Sequence, residues 1–140
     1  MSFLLDTNVL SEARKPNGNG NVKAWMASVN GSELYVSVLT IGEIRQSIER
    51  LRGRDPAQAS VYERWLARLQ RDYADRVLPV TAEVAQEWGR LNTVQPLPAV
   101  DSLLAATGRV FGLTLVTRNT RDMAGTGVKV LNPFDYRAAP

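Results

Sequence analysis

Five short apolar runs, FLL, ELYVSV, RVLPV, LTLV and VKVL, are spaced along the chain with helix-patterned stretches between them. No other feature constrains the fold as strongly. Runs this short and rich in Val and Leu read as strands covered on both faces, the habit of parallel sheets. A strand that is followed by a helix and then by another strand returns over one face of the sheet, so repeated alternation covers both faces. The expected fold class is therefore α/β, a three-layer sandwich with a central, mainly parallel sheet. A chain of 140 residues suits one domain over 1–140, large enough to bury about 70% of its unfolded surface.

The stretches between the runs carry helix signals. Thr7 to Arg14 reads as a short helix, stopped by Pro16 and the Asn/Gly-rich PNGNGN. Val22 to Val29 is a second. In TIGEIRQSIERLRGR, Ile41, Ile44, Ile48 and Leu51 recur on one helical face. After Pro56 a helix turns Val61, Trp65 and Leu69 inward, and Thr81 reads as the N-cap of another with Val84, Trp88 and Leu91 on its apolar side. QPLPAV is a proline-marked loop before the helix DSLLAATGRVF, which Gly112 ends. TRNTRDMAGTG reads as a polar connection between the last two strands.

Composition then limits the chemistry. The chain has neither Cys nor His, which removes thiolates, disulfides, the commonest general base and the commonest transition-metal ligand. No apolar run approaches the roughly 20 residues of a membrane span, and Asp6 arrives too early for a signal peptide, so a soluble cytoplasmic protein without membrane partners is expected. Net charge is +3. Between Arg45 and Arg76 eight arginines face five acids, a mixture that normally forms a solvated helical face.

Carboxylates remain as the reactive groups, and four of them sit where a parallel sheet presents its ligands. Such sheets bind ligands beyond the carboxyl ends of their strands, near the point where strand order reverses. Asp6 follows FLL, Glu43 lies early in the helix after ELYVSV, Asp101 opens the helix before LTLV, and Asp122 follows LTLV together with Thr117 and Asn119. Each also has an ordinary reading. Asp6 and Asp101 can serve as helix-start acids, T-I-G-E is a formal capping box for Glu43, and Asp122 can be a turn residue. Convergence would change the balance, because two carboxylates about 4 Å apart repel by roughly 4 kcal/mol at an effective dielectric near 20. An all-oxygen set suits a hard divalent cation, Mg²⁺ or Mn²⁺, and a pair of such ions could clamp both oxygens of a phosphodiester displacement.

Four stretches in order, LLDTNVLSE, SVLTIGEIRQSI, AVDSLLAAT and LTLVTRNTRDMAGTGVKVLNPF, together resemble PIN-domain ribonuclease toxins of the VapC type, closest to the FitB-like branch. The resemblance runs from Phe3 to Phe134, taken as the core of a PIN-like fold, and departs from the usual pattern at Ser102 and Met123. It implies a metal-dependent endoribonuclease, the toxin of a type II toxin–antitoxin system. Carried over, the catalytic and metal-binding acids fall on Asp6, Glu43, Asp101 and Asp122, with Thr117 and Asn119 in support. Cleavage would use a metal-activated water and leave a 5′-phosphate and a 3′-hydroxyl. Implied partners are the RNA substrate, a small cognate antitoxin with a DNA-binding segment, a second copy in a homodimer, and promoter DNA only through the antitoxin complex.

The residues also admit rival readings. An aspartyl-nucleophile phosphatase normally has a second Asp two positions after the first, where this chain has Asn8. A phosphoacceptor domain needs its Asp after a middle strand, where ELYVSV offers Ser37. A non-catalytic PIN-like module that binds nucleic acid or protein, or an RNA-maturation nuclease, stays open. With the four acids neutralised, 17 basic groups would face 10 acidic ones, a balance that draws in an RNA backbone and makes binding salt-sensitive.

Overall fold

A computed structural model describes residues 1–94 and 97–139, the side chains of 92–94 excepted. Five strands form the sheet: β1 (Phe3–Leu5), β2 (Leu34–Ser37), β3 (Val77–Leu78), β4 (Thr114–Val116) and β5 (Val130–Leu131). Their order across the sheet is β3-β2-β1-β4-β5 and every pairing is parallel. The helices among the described residues are α1 (Thr7–Arg14), α2 (Gly20–Ser28), α3 (Val38–Arg52), α4 (Pro56–Asp72), α5 (Ala82–Val94), α6 (Ala99–Phe111) and α7 (Thr120–Met123). The first three strands step outward from β1 to one edge. The chain then crosses back to place β4 on the free side of β1, so strand order reverses between β1 and β4.

Successive side chains on a strand face opposite ways, and the two halves of the core follow that rule. Phe3, Leu5, Leu34, Val36 and Val116 join residues of α1 to α4, including Val9, Trp25, Ile44, Ile48, Trp65 and Leu69, in one buried cluster. Leu4 and Leu115 join Leu104 and Ala105 of α6, Met123 of α7 and Val128 in the other, with Tyr35 packed against it. Helices therefore cover both faces, as expected. Ile44 and Ile48 of the predicted α3 stripe are buried and Ile41 and Leu51 are half-buried. On α4 Trp65 and Leu69 point inward, whereas Val61 is only half-buried, because Ala59 and Leu66 take the inner positions.

Element boundaries moved where a better cap lay nearby. Asn19 accepts hydrogen bonds from the Asn21 and Val22 amides, so α2 begins before Val22. Ser37 Oγ accepts the Leu39 amide at 3.0 Å and starts α3 at Val38. Thr40 is thus a buried residue inside α3, and the T-I-G-E capping box does not form. Thr81 does cap α5, its hydroxyl accepting the Val84 amide at 3.1 Å. α6 starts at Ala99, with Asp101 in its first turn, and ends at Gly112, whose φ of 68° is the left-handed conformation a helix C-terminus favours. Gln95 and Pro96 of the expected QPLPAV loop lie outside the described residues. The TRNTRDMAGTG connection contains α7 and a turn of 3₁₀ helix at Ala124–Thr126, anchored by Met123, which is completely buried. No helix among the described residues is long and apolar enough to cross a membrane.

Candidate active site

Register puts Asp6 and Thr117 side by side. Leu5 of β1 pairs with Val116 of β4, so the next residues, Asp6 and Thr117, leave the sheet together at the strand-order reversal. The Asp6 amide still donates to the Val116 carbonyl at 3.0 Å. Because both residues continue the alternation of their strands, both side chains emerge on the face that α6 covers. The Thr117 hydroxyl then donates to Asp6 Oδ2 at 2.7 Å, and Thr117 is fully buried.

Asp6 is the N-cap of α1. Its Oδ1 accepts the Thr7 amide at 2.7 Å and Oδ2 also meets Asn8 Nδ2 at 3.4 Å. The capping and site roles therefore coexist: the helix start that would explain Asp6 on its own also fixes its carboxylate. Only 6% of the residue is exposed. Burial pushes the Asp6 carboxyl above its ordinary value, and the Thr117 hydroxyl and Thr7 amide draw it partly back.

Glu43 reaches the same rim from α3, where the Thr7 hydroxyl donates to its Oε1 at 2.6 Å. Burial raises its carboxyl, the Thr7 bond lowers it, and the charges of Asp6 and Asp101 raise it again. Asp101, half-buried, is raised first by burial and then by the charges of Asp6 and Asp122. Next to it, Ser102 is buried; its hydroxyl accepts Trp88 Nε1 at 2.9 Å and ties the start of α6 to α5. Asp122 is exposed on α7, and its field reaches Asp101.

The fold thus gathers Asp6, Glu43, Asp101 and Asp122 into one electrostatic neighbourhood at the carboxyl rim. None of the four forms an ion pair with a described residue. Arg45 and Arg52 are taken up with Glu49 and Glu63. Uncompensated like charge at a partly buried site is costly, and a bound cation would relieve it. The donor set is oxygen only, which fits Mg²⁺ or Mn²⁺ and not a soft transition metal. No group of three or more acids among the described residues forms a ready-made metal cage. An ion at this rim would accordingly take part of its shell from water or substrate, the habit of Mg²⁺.

Thr117 and Asn119 behave differently. Thr117 contacts an acid directly, while Asn119 uses its backbone amide, which donates to the Thr117 hydroxyl at 3.1 Å, and its side chain caps nothing. One member of the site was not legible in advance: Thr7, which bridges Asp6 and Glu43. Its signal was only its place beside Asp6, since its partner lies 36 positions away. The cavity of about 260 Å³ lined by Arg109, Gly127 and Lys129, and that of about 240 Å³ between Ser2 and Leu113, lie at the opposite, amino ends of the strands.

Comparison with known proteins agrees with this architecture. The PIN domain family profile matches residues 3–128. Over 137 residues the chain is 31% identical to Toxin FitB of Neisseria gonorrhoeae, covering 94% of this chain and 98% of that protein. It is 26% identical over 141 residues to VapC ribonuclease Y4jK of Sinorhizobium fredii, covering 95% of this chain and 98% of that one. The solved structure of FitAB bound to an IR36 DNA fragment matches with a TM-score of 0.86 at 28% identity, covering 97% of this chain and 98% of that chain. A parallel sheet with its acids at the strand-order reversal, and likeness over nearly the whole length, make this chain a member of the PIN domain family.

Proposed function

We propose that this chain is the ribonuclease toxin of a toxin–antitoxin pair and that it cuts RNA phosphodiesters at the carboxyl rim of its sheet. The observation that carries the reading is the set of four acids that repel one another there without an ion-pair partner among the described residues. Mg²⁺ or Mn²⁺, when bound to these carboxylates, would make an attacking water more acidic and neutralise charge on the scissile phosphate.

The chain's own residues would divide the work as follows. Asp6 and Asp101 hold the cation directly, and Glu43 and Asp122 complete the acidic set directly or through water. Thr117 and the Thr7 amide keep the Asp6 carboxylate oriented and favour its charged form. The Thr7 hydroxyl holds Glu43 toward the same point. No histidine would be needed to generate the nucleophile, because a bound cation would lower the pKa of the water and its proton would pass to solvent or to a rim carboxylate. Cleavage in this way would leave a 5′-phosphate and a 3′-hydroxyl.

The relatives support the partners. FitB is named a toxin, Y4jK a ribonuclease, and FitAB has been solved on a DNA fragment. For this chain the reading implies a small antitoxin that covers the acidic rim, a homodimeric toxin, and promoter DNA bound through the complex.

The test is an RNA cleavage assay with Mg²⁺ or Mn²⁺, comparing the parent with Asp6→Asn and Asp101→Asn. The parent should cut, EDTA should stop it, and both variants should be inactive. Equal cleavage by parent and variants would mean that a contaminant cuts, and the reading would fail. One observation favours a second reading, a PIN-like module that binds nucleic acid without cutting: no three acids among the described residues form a cage. A parent that binds RNA and leaves it intact in either ion would establish that alternative.

A further inference from the structure

Arg118 follows Thr117 directly in the turn after β4, at the carboxyl end of the sheet. Its guanidinium carbon lies 4.5 Å from the centroid of the Phe134 ring, and it forms no hydrogen bond or ion pair with a described residue. Phe134 belongs to the turn that follows β5, so the ring stands at the same carboxyl end of the sheet as Asp6 and Thr117. The backbone that carries the ring is fixed from two sides. Asn132 Oδ1 accepts the Phe134 amide at 3.0 Å, and Asn21 of α2 donates to the Phe134 carbonyl at 2.8 Å.

A ring face holds a guanidinium through the ring quadrupole and uses none of its N–H donors. Arg118 is therefore positioned and still has its donor fork available to an oxyanion. Several other arginines have spent theirs. Arg76 donates to the carbonyls of Gly31, Leu34 and Asp72, Arg109 to that of Thr126, and Arg45 and Arg52 to Glu49 and Glu63. Arg14 also lies over rings, those of Tyr62 and Trp65, but at the far end of α1 from Asp6 and with its Nε buried.

We propose that Arg118, held out by Phe134, is a substrate-positioning residue that grips a backbone phosphate next to the scissile one. This rests on the ribonuclease reading above. A planar fork at the edge of an acidic rim suits a polyanion with repeated phosphates: one phosphate lies among the acids and their cation while its neighbour pairs with the arginine.

The test measures binding of a fluorescent single-stranded RNA in an Asp101→Asn background, where the strand is not cut. Arg118→Ala should weaken binding about tenfold and reduce the slope of log affinity against log salt by about 0.7. Arg118→Lys, which keeps the charge without the fork, should recover part of the loss. Phe134→Leu should weaken binding about threefold, because it frees the guanidinium without removing it. Lys129→Ala removes one charge at the amino end of β5 and should leave both affinity and slope unchanged. In the cleaving protein, Arg118→Ala should raise KM with little change in kcat. Arg118→Ala that binds like Lys129→Ala, or cuts with the parental KM, would overturn the inference and leave the nuclease reading intact. Binding that depends on Arg118 in a parent that cuts nothing would sink the nuclease reading alone.

Discussion

Replacing Thr117 by Val tests how the acidic rim is held together. The two side chains have nearly the same volume and Thr117 is fully buried, so the change opens no cavity and acts through the hydroxyl alone. That hydroxyl donates to Asp6 Oδ2 at 2.7 Å and accepts the Asn119 amide at 3.1 Å. A hydrogen bond to a charged acceptor contributes about 1.5–3 kcal/mol. Asn119 is exposed, so water can replace its lost acceptor, and a net cost of about 2 kcal/mol is expected at neutral pH. For a chain of 140 residues the unfolding entropy is about 0.3 kcal/mol per kelvin, which makes the loss about 7 °C in Tm. The sign of the pH dependence follows from which form the bond favours. The Thr117 hydroxyl lowers the Asp6 value, so the variant's Asp6 titrates higher still. The gap between parent and variant should therefore widen as pH rises through the Asp6 titration and narrow as it falls. Circular dichroism melts in EDTA over a series of pH values, from below the ordinary Asp value to pH 8, read both quantities. An equal loss across the whole series would refute a role exerted through the Asp6 charge.

Three further outcomes follow from the same geometry. Asp101→Asn should raise the Tm of the metal-free protein at pH 8, because it removes repulsion with Asp6 and Glu43 and loses no hydrogen bond to a described residue; half-exposure limits the gain to about 1 kcal/mol, or about 3 °C. The folded carboxyls of Asp6, Glu43 and Asp101 lie above their ordinary 3.8, 4.5 and 3.8, so their stabilising contribution is complete below those values and is lost as pH rises through the raised ones. The advantage of Asp101→Asn over the parent should accordingly grow with pH, and differential melts that show it constant would contradict the repulsion. Gly127→Ala should cost about 1–2 kcal/mol in urea unfolding with RNA cleavage retained, since φ is 78° there and the added Cβ would lie 2.6 Å from Arg109 Nη1, far from the rim.

Much of this site could be read in the chain because its logic is local. FLL before DTN gives a buried strand whose next residue caps a helix, and both roles fall on Asp6. LTLV before Thr117 repeats the pattern, and parallel pairing then sets the two ends together. Choices between neighbouring polar residues were harder. Ser37 and Thr40 can each cap α3, and Ser37 does so because β2 ends there and leaves its side chain free to accept the Leu39 amide. α7 was hidden because its four residues carry one apolar anchor, Met123. Contacts between distant segments had no local trace at all, as with the Thr7 hydroxyl on Glu43 or Arg118 over Phe134.

Under the proposed function the rim acids hold a divalent cation. Titration of the purified protein with Mn²⁺, followed by the loss of free-ion paramagnetic resonance signal, measures that directly and does not depend on finding the right RNA. The parent should take up the ion, Asp6→Asn and Asp101→Asn should bind it far more weakly, and Lys129→Ala should bind it as the parent does. Uptake that is the same in the parent and in both acid variants would contradict the account.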